Sequence, residues 1–270
     1  MGEADDPDRA VELLWDERPG LSLAAIVGAA VEVADAEGLA GLSMRKVAER
    51  LGFTTMSLYR HVPSRDHLVA LMRDAALGDP PAPTSDGWRP RLEAFARFAW
   101  DLRKRHPWLA ELRSARYVPG PNAVAHYEHA LAILADTGLT PAEVVASVGL
   151  VARLVDAEAS ALVEAAEAER TTGVADEEWW GARDALYAHF DRYPTLTSLW
   201  ESGGFDQPDP FGFGLARVLD GIELLIRQRD VKRDETCRVC GKPVARPASG
   251  RPREYCSRAC QQRAYRARRS

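Results

Sequence analysis

All four cysteines of the chain lie after residue 236, in the pattern Cys237-x2-Cys240-x15-Cys256-x3-Cys260. Two close pairs separated by a loop let four thiolates converge tetrahedrally on a zinc ion. With every coordination position filled by protein, the expected role is structural, one Zn²⁺ per chain. Gly241 suits a tight knuckle turn after the first pair, and Tyr255-Cys256-Ser257 is placed to open a helix carrying Cys260. Two disulfides are the alternative, disfavoured in a reducing cytoplasm. Metal binding would supply folding energy to a segment with almost no apolar core of its own. The run QQRAYRARR that follows is basic and helical, with Arg263, Arg266, Arg268 and Arg269 around Tyr265. Contact with DNA phosphates, contact with a protein and a merely solvated extension are all open to it.

A second constellation sits near the other end. Ser43 is placed to cap a helix over Met44–Leu51, which Gly52 closes at a position that tolerates left-handed backbone. A turn centred on Gly52-Phe53-Thr54 leads into a short helix over 55–61, a helix-turn-helix pattern. Val47, Ala48, Leu51 and Leu58 supply the apolar contacts between the two helices. Thr54, Thr55 and Ser57 are small and polar, so the start of the second helix can enter a major groove. Helix hairpins without any DNA function share this spacing.

Catalytic patterns are poor. The run beginning at Gly212 lacks the third glycine of a dinucleotide fingerprint, and no strand precedes it. HExxH, P-loop and G-x-S-x-G patterns are absent from the sequence. His126 and His129 lie three apart on an expected helix, but no third metal ligand is evident near them. The chain is not expected to be an enzyme.

The elements that must hold these groups are helical almost throughout. Leu23, Ile26, Val27, Ala30, Val33 and Ala34 form one apolar stripe. Pro63 breaks the pattern and Ser64 restarts it as the cap of Arg65–Leu77. Residues 78–87, GDPPAPTSDG, form the clearest linker. Helices are expected after it at 92–102, 122–136, 177–193 and 210–230, and over 141–170 with Thr140 as cap and Pro141 in the first turn. The fold class is all-α. Expected units are a flexible arm over 1–19, a three-helix helix-turn-helix domain over 20–77, a helical domain over 88–231, and a basic tail over 232–270.

Of the 270 residues 46% are hydrophobic and 28% charged, a balance that can bury a core. The net charge of −5 conceals a tail at +9 attached to a body at −14. The acidic N-terminus is no secretory signal, and Asp6 stands where myristoylation wants Ser or Thr. No apolar run approaches a membrane span. The expected compartment is the cytoplasm, without membrane contact.

The run LSMRKVAERLGFTTMSLYRHVPSRDHLVALM resembles the DNA-binding domain of the tetracycline-repressor (TetR) family, above all at Ala48, Leu51-Gly52 and Ser57-Leu58-Tyr59-Arg60-His61-Val62. Similar but weaker matches to the ligand-binding domain of that family follow at His106-Pro107-Trp108-Leu109, Gly120-Pro121-Asn122, Thr137-Gly138-Leu139-Thr140 and FGFGLARVLDG, which begins at Phe211. The resemblance spans roughly residues 20–230. It implies that Arg45 reaches a base edge, where a guanidinium can pair with guanine O6 and N7. It places Thr55 and Met56 at base-reading positions and Ser57, Tyr59, His61 and Arg65 at phosphate positions. Met56 packing inward, His61 capping a helix end, and Tyr59 dividing itself between core and phosphate are the alternatives.

The resemblance also implies a homodimer formed through 141–170 and 210–230. In the second of these helices Leu215, Val218, Leu219, Ile222, Leu225 and Ile226 make a wide apolar face, with Gly214 and Gly221 permitting close approach. Intramolecular core is the other reading of that face. Trp100, His106, His126 and Tyr127 are the candidate contacts for a small-molecule effector. The cysteine spacing is similar to treble-clef or zinc-ribbon modules, a tail that TetR proteins do not normally carry. The expected function is a ligand-responsive regulator, a repressor that leaves a double-stranded DNA operator when an effector shifts Arg65–Leu77. The competing reading is a zinc-dependent protein-interaction adaptor; a closed four-thiolate set argues against a metalloenzyme.

Overall fold

The computed structural model describes residues 21–82, 86–112, 118–205, 209–234, 236–244 and 254–267. The expected arm over 1–19 lies outside them. The first domain is built from α1 (Leu21–Gly41), α2 (Met44–Leu51), α3 (Thr55–Tyr59) and α4 (Arg65–Leu77). Its core is the predicted stripe of α1, with Ile26, Ala30, Val33 and Ala34 buried against Val47, Leu58, Val62, Leu68 and Met72. Gly38, at φ 70°, kinks the last turn of α1 and so turns the chain toward α2.

The second domain contains α5 (Trp88–Arg105), α6 (Trp108–Glu111), α7 (Pro121–Leu134), α8 (Pro141–Thr172), α9 (Asp176–Gly181), α10 (Asp184–Tyr187), a 3-10 turn (Phe190–Arg192), α11 (Pro194–Glu201) and α12 (Pro210–Asp234). Helices α5, α7, α8 and α12 enclose a separate core of Leu92, Ala96, Ile133, Leu134, Val148, Val151, Phe211, Leu215 and Leu219. The start of α8 carries a full capping box. Thr140 Oγ1 accepts from the Glu143 amide at 3.4 Å while the Glu143 carboxylate accepts from the Thr140 amide at 2.8 Å. That carboxylate also holds Arg229 of α12, which keeps it well below the usual range, at about 2.

One contact crosses the linker and one expectation changes. Trp108, 1% exposed, packs on the first core together with Leu109, Leu112 and Val118, so residues beyond the linker complete it. The single helix expected over 177–193 is broken into α9, α10 and the 3-10 turn. The Tyr187 hydroxyl donates to the Trp180 carbonyl at 2.8 Å, and Arg183 lies 3.9 Å over the Trp179 ring. Neither α9, α10 nor the turn buries a residue, so no continuous stripe against a core holds one long helix together.

Among the described residues the tail contributes one antiparallel bridge, Thr236 with Pro243, and helix α13 (Arg258–Ala267). No helix of the described residues is long and apolar enough to cross a membrane.

Candidate nucleic-acid interface and cysteine centre

The helix-turn-helix forms as its caps dictate. Ser43 Oγ accepts from the Lys46 amide at 3.2 Å, and Gly52, at φ 73° and ψ 25°, ends α2 with its amide donating to the Ala48 and Glu49 carbonyls. Thr54 Oγ1 then accepts from the Ser57 amide at 3.3 Å and starts α3. Leu58 and Val62 are buried beneath this short helix, so its opposite face must point outward. On that face Met56 is 69% exposed and Tyr59 46%, with Thr55, Ser57 and His61 around them. Met56 therefore does not pack inward. Phe53, 65% exposed at the turn, is a further surface group that the spacing did not single out.

The two arginines of the predicted set have different surroundings. Arg45 stands in solvent, its Nε donating to Glu49 at 2.7 Å, a pair that raises the guanidinium pKa and that an incoming base would have to displace. Arg65 is also exposed but is tied to its own domain: Nη2 donates to the Leu39 carbonyl at 2.6 Å and Nε to the Leu42 carbonyl at 3.2 Å, at the end of α1.

The four candidate effector contacts are not brought together. His106 is turned away from the helical domain, with Nδ1 2.7 Å from Asp35 Oδ1 of α1, and Trp108 Nε1 donates to the same oxygen at 2.7 Å. Trp100 stacks on Phe211 at 4.7 Å. His126 is buried against Phe98, its Nε2 3.1 Å from the Gly78 carbonyl. Tyr127 is 48% exposed. His129 stacks on Phe95 at 5.8 Å, and burial pushes its pKa down, helped by Arg91 and His126.

These placements reveal junctions that sequence reasoning missed. Asp74 of α4 is 7% exposed and accepts from the amides of Ala123 at 2.9 Å and Asn122 at 3.2 Å, the first turn of α7. Asn122 Nδ2 returns a bond to the Asp74 carbonyl at 3.0 Å. A carboxylate from the first domain thus caps a helix of the second. Gly120 is required there, since a Cβ would come within 2.4 Å of Asp74 Cγ. The Gly-Pro-Asn helix start was legible; the partner that would cap it was not.

Among solved structures, ActR from Streptomyces coelicolor superposes with a TM-score of 0.62 at 26% identity, covering 78% of this chain and 99% of that one. ActR in complex with actinorhodin gives 0.62 at 27% identity, with 76% and 96% covered. Residues 26–72 match the model for bacterial regulatory proteins of the tetR family, and 80–226 match the tetracyclin repressor-like C-terminal domain. The chain belongs to the TetR family. The HTH-type transcriptional repressor DrrR1 of Streptomyces coeruleorubidus is 42% identical over 238 residues, 83% of this chain and 88% of the relative. An HTH-type transcriptional regulator of Saccharopolyspora erythraea is 35% identical over 211 residues, 76% and 86% of the two chains. As a TetR-family protein the chain is a DNA-binding transcriptional regulator and not an enzyme.

The cysteine centre lies beyond both matched ranges. The four sulfurs all lie within 4.8 Å of one another. Cys240–Cys256 is 3.4 Å, Cys256–Cys260 3.7 Å and Cys260–Cys240 3.7 Å. Sulfurs at about 2.3 Å around a tetrahedral zinc stand about 3.8 Å apart, so the donor set fits the ion. The knuckle follows the sequence reading: Gly241, at φ 69°, donates to the Cys237 carbonyl at 2.9 Å. Ser257 Oγ accepts from the Cys260 amide at 3.3 Å and caps α13. The Cys256 amide, aided by those of Val239 and Cys240, draws the Cys237 thiol down to about 6. Sharing protons with Cys240 and Cys237 pushes Cys256 up to about 12. Four thiols this close cannot all ionise without a cation among them.

Proposed function

We propose that the chain is a homodimeric, effector-released transcriptional repressor of the cytoplasm, with zinc holding its tail. The carrying observation is the face of α3, where Met56 and Tyr59 stand in solvent beside half-buried Thr55 and Ser57 while Leu58 anchors the helix. Thr55 and Met56 read base edges, with Met56 offering apolar contact to a thymine methyl, and Arg45 pairs with guanine. Thr54, Ser57, Tyr59 and His61 supply phosphate contacts.

ActR has been crystallised with actinorhodin and with (S)-DNPA. By that likeness the effector of this chain is a small molecule received among Phe95, Phe98 and His126 of α5 and α7. Displacement of α7 would travel through the Asp74 cap to α4, and displacement of α5 through His106 and Asp35 to α1, changing the separation of the two recognition helices. An effector acts only by favouring one of these dimer states over the other.

The groove between α8 and α12, about 420 Å³ and lined by Ala146, Ser147, Leu150, Val218, Gly221 and Leu225, supports the dimer reading. Leu219 and Ile222 are core residues of the protomer, so the subunit contact belongs to the flank carrying Leu150 and Leu224. Zn²⁺, held by Cys237, Cys240, Cys256 and Cys260, would fix the start of α13. The test of the function is a gel shift with a duplex from the chain's own promoter region, followed by a screen for small molecules that release it. A protein that binds this duplex no better than random DNA would refute the regulator.

A further inference from the structure

The tail leaves the body at the pole opposite the DNA-reading helix. Helix α5 spans the second domain. At its end, His106 meets Asp35 of the first domain. At its start, Arg89 holds Asp220 at 2.6 Å and Glu223 at 2.8 Å on α12. Helix α12 begins with Phe211 stacked on Trp100 and passes Arg89. It then reaches Glu143, at the start of α8, through Arg229. It therefore runs away from the first domain, and at 1.5 Å per residue its end lies about 40 Å from the His106–Asp35 junction. The knuckle begins two residues later, and α13 is only about 15 Å long. The tail cannot fold back to the duplex held by α3 of the same dimer.

Helix α13 nonetheless presents an exposed cationic face. Cys260 is buried and Ala264 half-buried, on the face toward the thiolates, and Arg263 Nη2 lies 3.8 Å from Cys260 Sγ. The opposite face carries Arg258, Gln262, Tyr265 and Arg266, all exposed. Arg258 and Arg266 have no ion pair among the described residues. No aliphatic side chain lies on this face, whereas the cores of protein interfaces are apolar. Arginine, glutamine and tyrosine donors are instead the groups that contact nucleic-acid backbones.

We propose that α13 grips the phosphates of a second DNA duplex, so that one dimer bridges two segments of DNA. The inference rests on the operator-binding and zinc readings above, and each has its own readout in the experiment. Full-length protein is bound to bead-attached duplex from its own promoter region, and capture of a fluorescent random-sequence duplex is measured. Zinc content and promoter-duplex affinity are measured on the same preparations.

The zinc-loaded, promoter-bound protein should retain the second duplex, with capture falling steeply between about 50 and 200 mM salt. The double variant R258E/R266E should lose capture at least tenfold while keeping its zinc and its promoter affinity, and R258K/R266K should restore most of it. Absence of capture by the loaded complex overturns the proposal, as does undiminished capture by R258E/R266E. A loss of promoter affinity in that variant would place α13 on the same duplex and equally overturn bridging. Retention of poly-glutamate without retention of DNA would make the partner an acidic protein. If the promoter duplex itself is not bound, the operator reading falls and bridging falls with it.

Discussion

Arg45 and Arg65 are both arginines flanking the recognition helix, and their surroundings give them opposite tasks. Arg45 is tethered only to Glu49 in solvent, so Arg45→Ala should leave the melting temperature within a degree or two. It should weaken promoter binding about tenfold or more and relax discrimination at one base pair. Arg65 bridges α4 to the end of α1 through two carbonyls. Arg65→Ala should therefore lower stability by about 1–2 kcal/mol, since two charge-assisted hydrogen bonds are lost. Thermal melting of the two variants beside gel shifts separates the roles. Equal melting-temperature losses would contradict the assignment. The side chains at the start of α3 were legible because cap, turn glycine and buried leucine recur at set spacing. The backbone partners of Arg65 were not, because they lie 23 and 26 residues upstream.

Two junctions between helices carry testable consequences. Asp74 caps α7 from α4, so Asp74→Ala should cost about 1–3 kcal/mol. It should also leave promoter binding measurable while blunting release by effector. Gly120→Ala should mimic it, because the new Cβ displaces the same carboxylate. Full release by effector in both variants would remove Asp74 from the coupling route.

At the other pole, Glu143 is held at about 2 by Arg229 and the Thr140 cap, against an unperturbed 4.5. A carboxylate depressed on folding stabilises the folded state above the unfolded pKa. That contribution fades as pH falls from about 4.5 toward 2. The melting temperature should drop across this window, and Glu143→Gln should flatten the drop. An unchanged pH profile in the variant would show that the pair contributes nothing to the acid limb.

Assembly and metal act on the molecule as a whole. The α8–α12 groove is lined by Leu150, 44% exposed, and Leu224 of α12 is 58% exposed. Leu150→Glu should yield a folded monomer with weakened promoter binding, whereas Leu219→Glu should unfold the protomer, because a buried unpaired charge costs roughly 3 kcal/mol or more. Light scattering and circular dichroism distinguish the two; a dimer that survives Leu150→Glu would move the interface elsewhere. One zinc per chain should be found by metal analysis. Its removal by a chelator should change the helical signal only slightly, since both cores of the body are complete without the tail. A body that melts on chelation would mean that the metal supports more than the knuckle.

The helical class, the capped starts at Ser43, Ser64 and Thr140, the turn at Gly52 and the spacing of the four cysteines were written in the sequence. Each of these is a local event, decided within a few residues by a cap, a left-handed glycine or an apolar period. The break-up of the segment over 177–193 was not legible, because its aromatic residues imitate a stripe although no core receives them. Only the tertiary structure decided that Trp108 completes the first core, that Asp74 caps α7 and His106 faces Asp35, and that Leu219 points into its own protomer. Only the course of α12 decided that the basic tail departs from the end farthest from α3. Such pairings depend on which distant surfaces meet, and a one-dimensional pattern carries the period of a face but not the identity of what will cover it.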